Sequence, residues 1–223
     1  MKCIGLIFIF IISDIDFLYA KTTQQLDCRK IAYQVEKDLN IPNKLLVSIA
    51  LTESGTTNSL GNFVAWPWTL NVNGQPYFFK NKDKAYNFLL KKIGEGEKNI
   101  DIGCMQISYK YHRKNFQNLK SFLDPNNNVI YAAKYLKNLH KREKSWNKAI
   151  SYYHSSNPQR MFKYLDKVHR NWKHERQTDY HKNEVLAFKE NTKIKQPNQI
   201  DDPTRKKIEF FRKEFEESRL DHM

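Results

Sequence analysis

The sequence of 223 residues predicts an α+β protein that is predominantly α-helical, with one small β-hairpin and a charged C-terminal tail. Apolar residues recur at helical spacing through most of the chain between residues 27 and 172. Aromatic and β-branched residues cluster around one Asn-Gly dipeptide, which is a strong hairpin signal. From about Asn171 charges of both signs alternate, and residues 191–203 are polar with two prolines. We therefore expect a folded domain over residues 21–172 and a tail over 173–223 that is partly helical or disordered.

Residues 1–20 have the pattern of a secretory signal peptide. Lys2 precedes an apolar run over residues 4–12, and Ala20 supplies the small residue of a cleavage site. The run is shorter than an ordinary membrane-spanning helix, and no other segment is apolar enough to span a membrane. Aspartates after the run, and Leu18 before the cleavage site, keep an uncleaved N-terminal anchor as the alternative. We expect an exported protein, with peripheral or no membrane contact after the signal is removed.

Helix signals follow one another along the domain. Residues 27–40 have amphipathic spacing and predict the first helix. Asp83 is a favoured capping residue for a helix that runs to about Ile93. Further helices are expected over residues 115–122, 125–140, 145–153 and 158–172. The residues expected on the buried face of the last helix are Phe162, Leu165, Val168, His169 and Trp172.

The predicted hairpin spans residues 63–79 around Asn73-Gly74. Pro67 and Pro76 confine it to edge-like strands, because proline cannot donate to a sheet ladder. Its tryptophans, Trp66 and Trp68, suit either sugar stacking or core packing. Residues 100–108 are too apolar for a surface loop and too interrupted by glycine for a good strand. We predict that this segment enters the core and becomes a helix or turn.

One buried helix is expected to place an acid in the interior. Over residues 45–55 the apolar side chains of Leu45 and Ile49 share one face, and Glu53 takes the next position on it. Pro42 favours the helix start, and Gly55 favours a left-handed stop. A carboxylate in this place is either a solvated acid at a frayed helix end or a group positioned for chemistry.

The chain is strongly basic, with 38 Lys and Arg against 24 Asp and Glu, which gives a formal charge of +14. Such an excess attracts polyanionic surfaces, including cell walls, membranes and nucleic acids. No helix-turn-helix, zinc or sheet-aromatic signature accompanies the charge, so nucleic acid is not an expected partner. The histidines are dispersed and no ligand spacing indicates a metal, so neither a metal nor a cofactor is expected. After signal removal Cys28 and Cys104 remain, either as a disulfide or as two buried free thiols.

Three short motifs carry a family resemblance. They are Glu53-Ser54-Gly55, then Gly103-Cys104-Met105-Gln106, then Ala149-Ile150-Ser151-Tyr152-Tyr153-His154-Ser155. In order and spacing the chain resembles the lytic transglycosylases with a lysozyme-like SLT domain, over about residues 28–172. Cys104 replaces the usual leucine, which is compatible with a disulfide to Cys28, and His154 replaces the usual asparagine. The Tyr-His-Ser form of the third motif resembles the branch associated with secretion and conjugation.

The resemblance implies a role for each motif residue. Glu53 would act as catalytic acid and then as base, and Ser54 and Gln106 would hydrogen-bond or position the sugar. Met105 would pack against the sugar or the cleft floor, and the hydroxyl of Tyr153 would lie near Glu53 or the substrate acetamide. The structural alternatives are a local cap for Ser54 and core packing for Met105 and Tyr153. Asp101 is the nearest candidate for a second acid, although we expect it to cap the turn before Gly103.

The implied substrate is the glycan strand of peptidoglycan, in the periplasm or cell envelope of a bacterium, with a secretion or conjugation apparatus as a further partner. The implied reaction cleaves the bond between MurNAc and GlcNAc without water and leaves 1,6-anhydro-MurNAc ends. Two alternatives remain: a hydrolytic muramidase on the same fold, and a non-catalytic wall-binding module.

Overall fold

The computed structural model describes residues 27–193 and residue 206, so the expected signal peptide and most of the expected tail lie outside the described residues. The described part is mostly helical with two small antiparallel sheets, which confirms the predicted fold class. In chain order its elements are α1 (Cys28–Asp38), α2 (Leu45–Ser54), β1 (Gly55–Thr57), β2 (Phe63–Ala65), β3 (Thr69–Val72), β4 (Gln75–Phe78), α3 (Lys82–Gly94), β5 (Ile100–Ile102), β6 (Ile107–Ser108), α4 (Tyr109–His112), a 3₁₀ turn (Arg113–Asn115), α5 (Leu119–Leu123), α6 (Pro125–Glu143), α7 (Trp146–His154) and α8 (Pro158–Lys193).

Helix α2 is the centre of the core, and all of its residues except Glu53 are buried. The predicted start at Pro42 is wrong, because Lys44 at the N-cap has a left-handed φ of 65° and makes no side-chain cap. The cap comes from α1 instead. The buried carboxylate of Glu36 accepts backbone N–H bonds from Lys44 at 2.6 Å and from Leu46 at 3.0 Å. These bonds satisfy amide groups that the first turn of a helix leaves unpaired.

Gly55 ends α2, but the predicted left-handed stop is wrong. Its φ of −63° and ψ of 127° are extended, and it opens strand β1. Glycine is required here for a different reason. A Cβ would lie 2.2 Å from the Leu51 carbonyl oxygen and 2.4 Å from Cζ of Phe63. Position 55 therefore accommodates only glycine in this backbone conformation.

The four-stranded sheet has the order β4-β3-β5-β6, and β1 pairs with β2 in a separate sheet. The predicted hairpin is present over residues 69–78, with Asn73 at φ 53° and Gly74 at φ 87° in the turn between β3 and β4, whereas residues 63–65, which were expected in it, form β2 and pair with β1. Strand β4, which contains Pro76, lies at the edge as expected, whereas β3 is internal because β5 pairs with its other side. The prediction for residues 100–108 is confirmed for the entry into the core and for a turn, and it is wrong in rejecting strands. That segment forms β5, a tight turn and β6.

The remaining helices follow the predicted order with shifted boundaries. Asn81 rather than Asp83 caps α3, because its side chain accepts the backbone N–H of Lys84. Helix α8 continues beyond residue 172 to Lys193, and Phe162 is 74% exposed rather than buried. Over residues 158–179, where the structure describes side-chain burial, the buried residues of α8 are Tyr164 and Val168.

A disulfide joins Cys28 at the start of α1 to Cys104 in the turn between β5 and β6. Their Cα atoms lie 6.0 Å apart, and both residues are fully buried. The bond ties the first helix to the turn of the second sequence motif. Among the described residues, no helix has the length and apolar character needed to cross a membrane.

Candidate active site

A cleft of about 890 Å³ opens between the four-stranded sheet and the junction of α7 with α8. Glu53 reaches it from the end of α2, Asp101 from β5 and Gln106 from the turn that follows β5. Further lining comes from α4, α6, α7, the α7–α8 connection and the first turn of α8. Its residues are Tyr111, His112, Tyr135, Tyr152, Tyr153, His154, Ser155, Ser156 and Arg160.

Glu53 is half-buried in this cleft, and its Oε1 accepts a hydrogen bond of 2.5 Å from the hydroxyl of Tyr164. Burial raises the pKa of Glu53 to about 7, and the charge of Asp101 adds to the increase. The hydrogen bond from Tyr164 and the charge of Lys167 act in the opposite direction on this pKa. The carboxyl group is thus available as a proton donor near neutral pH, which is the condition for a general acid.

Tyr164 is a site residue that the sequence analysis missed. Its ring is buried and stacks on His154, with centroids 4.4 Å apart and planes inclined by 3°. Burial holds the pKa of Tyr164 well above its ordinary value, so its hydroxyl acts as a donor to Glu53. The helical spacing of Tyr164 and Val168 was available as a signal for the buried face of α8. It did not identify the partner of the hydroxyl, which lies in another helix.

His154 takes the place of the asparagine expected in the third motif and lines the cleft. Partial burial lowers the pKa of His154, and the charges of Arg160 and Lys167 lower it further. A neutral imidazole stacks on Tyr164 without adding a positive charge beside Glu53. His154 therefore packs against the ring of Tyr164, whose hydroxyl donates to Glu53.

The side chain of Asn128 hydrogen-bonds the backbone on both sides of the tight turn of residues 103–106, and the sequence analysis did not identify this residue. The side chain of Asn128 is fully buried, donates to the Ile102 carbonyl at 2.9 Å and accepts the N–H of Met105 at 2.9 Å. Gly103 has a φ of 78°, and a Cβ there would lie 3.0 Å from the amide of Asn128. The glycine of the second motif therefore permits both the backbone conformation and the close approach of this clamp.

Ser54 and Met105 lie beneath the cleft rather than in its wall. The Ser54 hydroxyl is within hydrogen-bonding distance of the carbonyl oxygens of Cys104, at 2.8 Å, and Ala50, at 3.1 Å. Met105 has no exposed surface. The direct sugar contacts predicted for these two residues do not fit their positions, because both are enclosed by the core. They instead join α2 to the turn of the second motif.

Gln106 and Tyr153 line the cleft as the motif comparison predicts. Gln106 has a φ of 44°, and its amide donates to the carbonyls of Gly103 at 2.9 Å and Thr69 at 3.2 Å. The hydroxyl of Tyr153 donates to the Met105 carbonyl at 2.9 Å. The tyrosine that donates a hydrogen bond to Glu53 is therefore Tyr164, whereas Tyr153 donates to a backbone carbonyl of the second motif.

Asp101 does not cap the turn before Gly103, and that prediction is wrong. Asp101 belongs to β5 and lies opposite Ser108 of β6 in the sheet. Its side chain lines the cleft together with Glu53. Burial raises the pKa of Asp101 to about 6, and a hydrogen bond from Ser108 opposes the increase. The cleft thus contains a second carboxyl group that ionises more readily than Glu53.

The hairpin tryptophans are not part of this cleft. Trp66 donates its indole N–H to the Phe79 carbonyl at 2.7 Å, and Trp68 packs against the core. The exposed tyrosines in the cleft are Tyr111, 70% exposed, and Tyr152, 36% exposed. In the part of the chain that the structure describes, no cluster of three or more His, Cys, Asp or Glu residues has a geometry suited to a metal ion.

The family model of the transglycosylase SLT domain matches residues 31–171. This match includes the three motifs and the first part of α8, which carries Tyr164. Comparison with curated proteins and with solved structures gave no significant match. Because the family model covers more than half of the chain, the chain belongs to the transglycosylase SLT domain family, and the family predicted from the motifs is confirmed.

Proposed function

We propose that this member of the transglycosylase SLT domain family is an exported peptidoglycan lytic transglycosylase, with Glu53 as its catalytic acid and base. The proposed substrate is the β-1,4 bond between MurNAc and GlcNAc. The observation that carries the proposal is the environment of Glu53. Its carboxyl lies in an open cleft, has a pKa of about 7 and is oriented by the Tyr164 hydroxyl at 2.5 Å.

In the first step Glu53 donates its proton to the glycosidic oxygen, and the bond from that oxygen to C1 of MurNAc breaks. The GlcNAc portion leaves with a hydroxyl group. Positive charge that develops at C1 is stabilised by the acetamide of the same sugar, so the protein does not need a nucleophilic carboxylate. The ionised Glu53 that results keeps its hydrogen bond to Tyr164, which stabilises the charged form.

In the second step the C6 hydroxyl of MurNAc attacks C1 and transfers its proton to Glu53. The new bond closes the 1,6-anhydro ring, and Glu53 returns to its protonated state. No water is consumed and no other reactant is required. A single carboxyl group with a pKa near neutrality suits these two reaction steps, because it must first donate and then accept a proton.

Hydrolysis by a muramidase is the second candidate, and the position of Asp101 favours it. Two carboxyl groups that flank a glycosidic bond can divide the roles of acid and base between them. Asp101 lines the same cleft, and its pKa of about 6 leaves it mainly ionised at neutral pH. In this scheme Glu53 protonates the leaving oxygen, and Asp101 activates a water or stabilises the sugar cation.

Mass spectrometry of the soluble products from purified murein separates the two reactions, because the hydrolytic product is heavier by one water. We expect anhydro products from the wild type, none from Glu53→Gln and retained anhydro products from Asp101→Asn. Reducing-end products that disappear in Asp101→Asn would establish the muramidase instead. Binding to sacculi with no product from the wild type would indicate a wall-binding module.

We also propose that the enzyme works in the cell envelope beside a secretion or conjugation apparatus. The Tyr152-Tyr153-His154-Ser155 form of the third motif and the formal charge of +14 support this proposal. The charge favours anionic envelope polymers, and such attraction weakens as ionic strength rises. Pull-down on sacculi at increasing salt tests the electrostatic part, and salt-independent binding would contradict it.

A further inference from the structure

Arg160 is a cleft residue that the proposed reaction does not use. It lies in the first turn of α8, where its backbone N–H donates to the side chain of Asn157 at 3.2 Å. Its side chain is exposed and lines the cleft with Glu53 and His154. A cation in this position faces the space that a glycan strand would occupy.

The side chain of Arg160 differs from those of the other arginines described between residues 27 and 179. Each of the others has an acidic or aromatic partner. Arg29 pairs with Asp27, Arg142 with Glu143 and Arg170 with Asp166, while Arg113 lies over Tyr109 and Arg176 over Trp172. Within that range, Arg160 is the arginine whose guanidinium has no such partner.

Arg160 is not one of the charged groups that shift the pKa of Glu53. The charged groups that act on Glu53 are Asp101 and Lys167, whereas Arg160 acts on His154. Both Arg160 and His154 line the cleft, the ring of His154 stacks on Tyr164, and the Tyr164 hydroxyl donates to Glu53. The arginine is therefore close to the site of cleavage without neutralising its acid.

We infer that Arg160 is a specificity-determining residue that binds a carboxylate carried by the lactyl arm of the muramic sugar. The inference rests on the proposed function, since it names the substrate group that this cleft recognises beside the cleaved bond. A guanidinium is suited to such a group because it forms two parallel hydrogen bonds to a carboxylate. Glu53 and Asp101 in the same cleft repel an anion when they are ionised, so a dedicated cation is needed to retain it.

The carboxylate has two possible sources. In peptide-bearing strands the lactyl group is amide-linked, and the carboxylates belong to the acidic residues of the stem peptide. In stripped strands the lactyl group itself ends in a carboxylate. Chitin oligomers have the same sugar backbone with neither group, so they provide the ligand without the recognised charge.

The test measures ligand affinity in the Glu53→Gln background, which binds without turnover, with and without Arg160→Gln. The ligands are chitotetraose, the stripped GlcNAc-MurNAc tetrasaccharide and the same tetrasaccharide with stem peptides. The matched control is Lys163→Gln, which removes the same charge from the same helix outside the cleft. Isothermal titration calorimetry at low salt reports the dissociation constants.

Arg160→Gln should weaken binding of a carboxylate-bearing ligand about tenfold, as expected for loss of a charge-assisted hydrogen bond, and leave chitotetraose unchanged. If affinity is lost only for the peptide-bearing ligand, the carboxylate that Arg160 binds belongs to the stem peptide. If affinity is lost for the stripped ligand, Arg160 binds the lactyl carboxylate. Equal effects on all three ligands, or the same effect from Lys163→Gln, would overturn the inference. Wild-type product analysis is independent of this result, so failure of the proposed reaction is recognised separately.

Discussion

The hydroxyl of Tyr164 lies 2.5 Å from Oε1 of Glu53, although the two residues are separated by 111 positions in the sequence. This hydrogen bond connects the last described helix to the end of the central helix. It also opposes the effect of burial, because it stabilises the carboxylate that burial disfavours. The proton affinity of the candidate catalytic acid is thus set jointly by α2 and α8.

The activity should depend on pH through the protonation of Glu53. With a pKa of about 7, the acid loses its proton as pH rises, and kcat/KM should fall about tenfold per pH unit above that value. The measurement is the initial rate of anhydro product release between pH 5 and pH 9. A rate that stays constant across the alkaline range would contradict the assignment of Glu53 as the acid.

Tyr164→Phe should move the alkaline limb of that profile to higher pH. The substitution removes a hydrogen bond that lowers the pKa of Glu53 and keeps the ring that stacks on His154. The expected shift is up to about one pH unit, with a rate loss of roughly tenfold because the carboxyl is no longer oriented. Phe162→Leu on the exposed face of α8 is the control. An unchanged limb in Tyr164→Phe would show that the hydroxyl does not act on Glu53.

Glu53→Gln should stabilise the fold at alkaline pH while it abolishes activity. The folded-state pKa of Glu53 is raised from 4.5 to about 7, so folding disfavours its ionised form. This penalty begins as pH rises above the unfolded-state value and is complete above the folded-state value. Urea unfolding should therefore show a gain of about 3 kcal/mol at pH 8 and little gain at pH 4.

Glu95→Gln is a suitable comparison for this experiment. The pKa of Glu95 is lowered, first by its hydrogen bond to Lys92, so its ionised form is favoured in the folded protein. Its replacement should produce no gain in stability at pH 8. Similar stabilisation by both substitutions would indicate a general charge effect instead of burial of Glu53.

Loss of the disulfide should weaken both stability and activity. The double variant Cys28→Ala/Cys104→Ala removes a crosslink between residues 76 positions apart, and the expected cost is about 2–4 kcal/mol. Because Cys104 is within the turn that carries Gln106, the rate should fall as well. Reduction of the wild type should lower the urea midpoint in the same direction. An unaltered midpoint after complete reduction would contradict a stabilising role.

Asn128→Leu tests the clamp under the second motif. It leaves the N–H of Met105 and the carbonyl of Ile102 without their buried partner, at a cost of about 2–4 kcal/mol. Asn126→Leu changes an exposed residue of the same helix and should have little effect. If the two variants have equal urea midpoints and equal rates, the clamp does not stabilise the turn.

Local sequence patterns were sufficient to predict the fold class, the order of the helices and the position of Glu53. Helical periodicity depends on neighbours a few positions apart, and the Asn73-Gly74 turn requires only its own backbone conformation. Predictions failed where a distant group decided the outcome. Glu36 of α1 caps α2, and the ring of Phe63 from another strand packs against the glycine at position 55.

The sequence by itself determined which carboxyl group is delivered to the interior, since Glu53 interrupts a buried helical face, and which family the chain joins. Only the tertiary structure decided what surrounds that carboxyl. Tyr164, Asp101 and the Asn128 clamp come from different elements, and their contacts follow from packing rather than from spacing. The pKa of Glu53 depends on burial, on the hydrogen bond from Tyr164 and on the charges of Asp101 and Lys167, so its proposed role as an acid depends on the folded cleft.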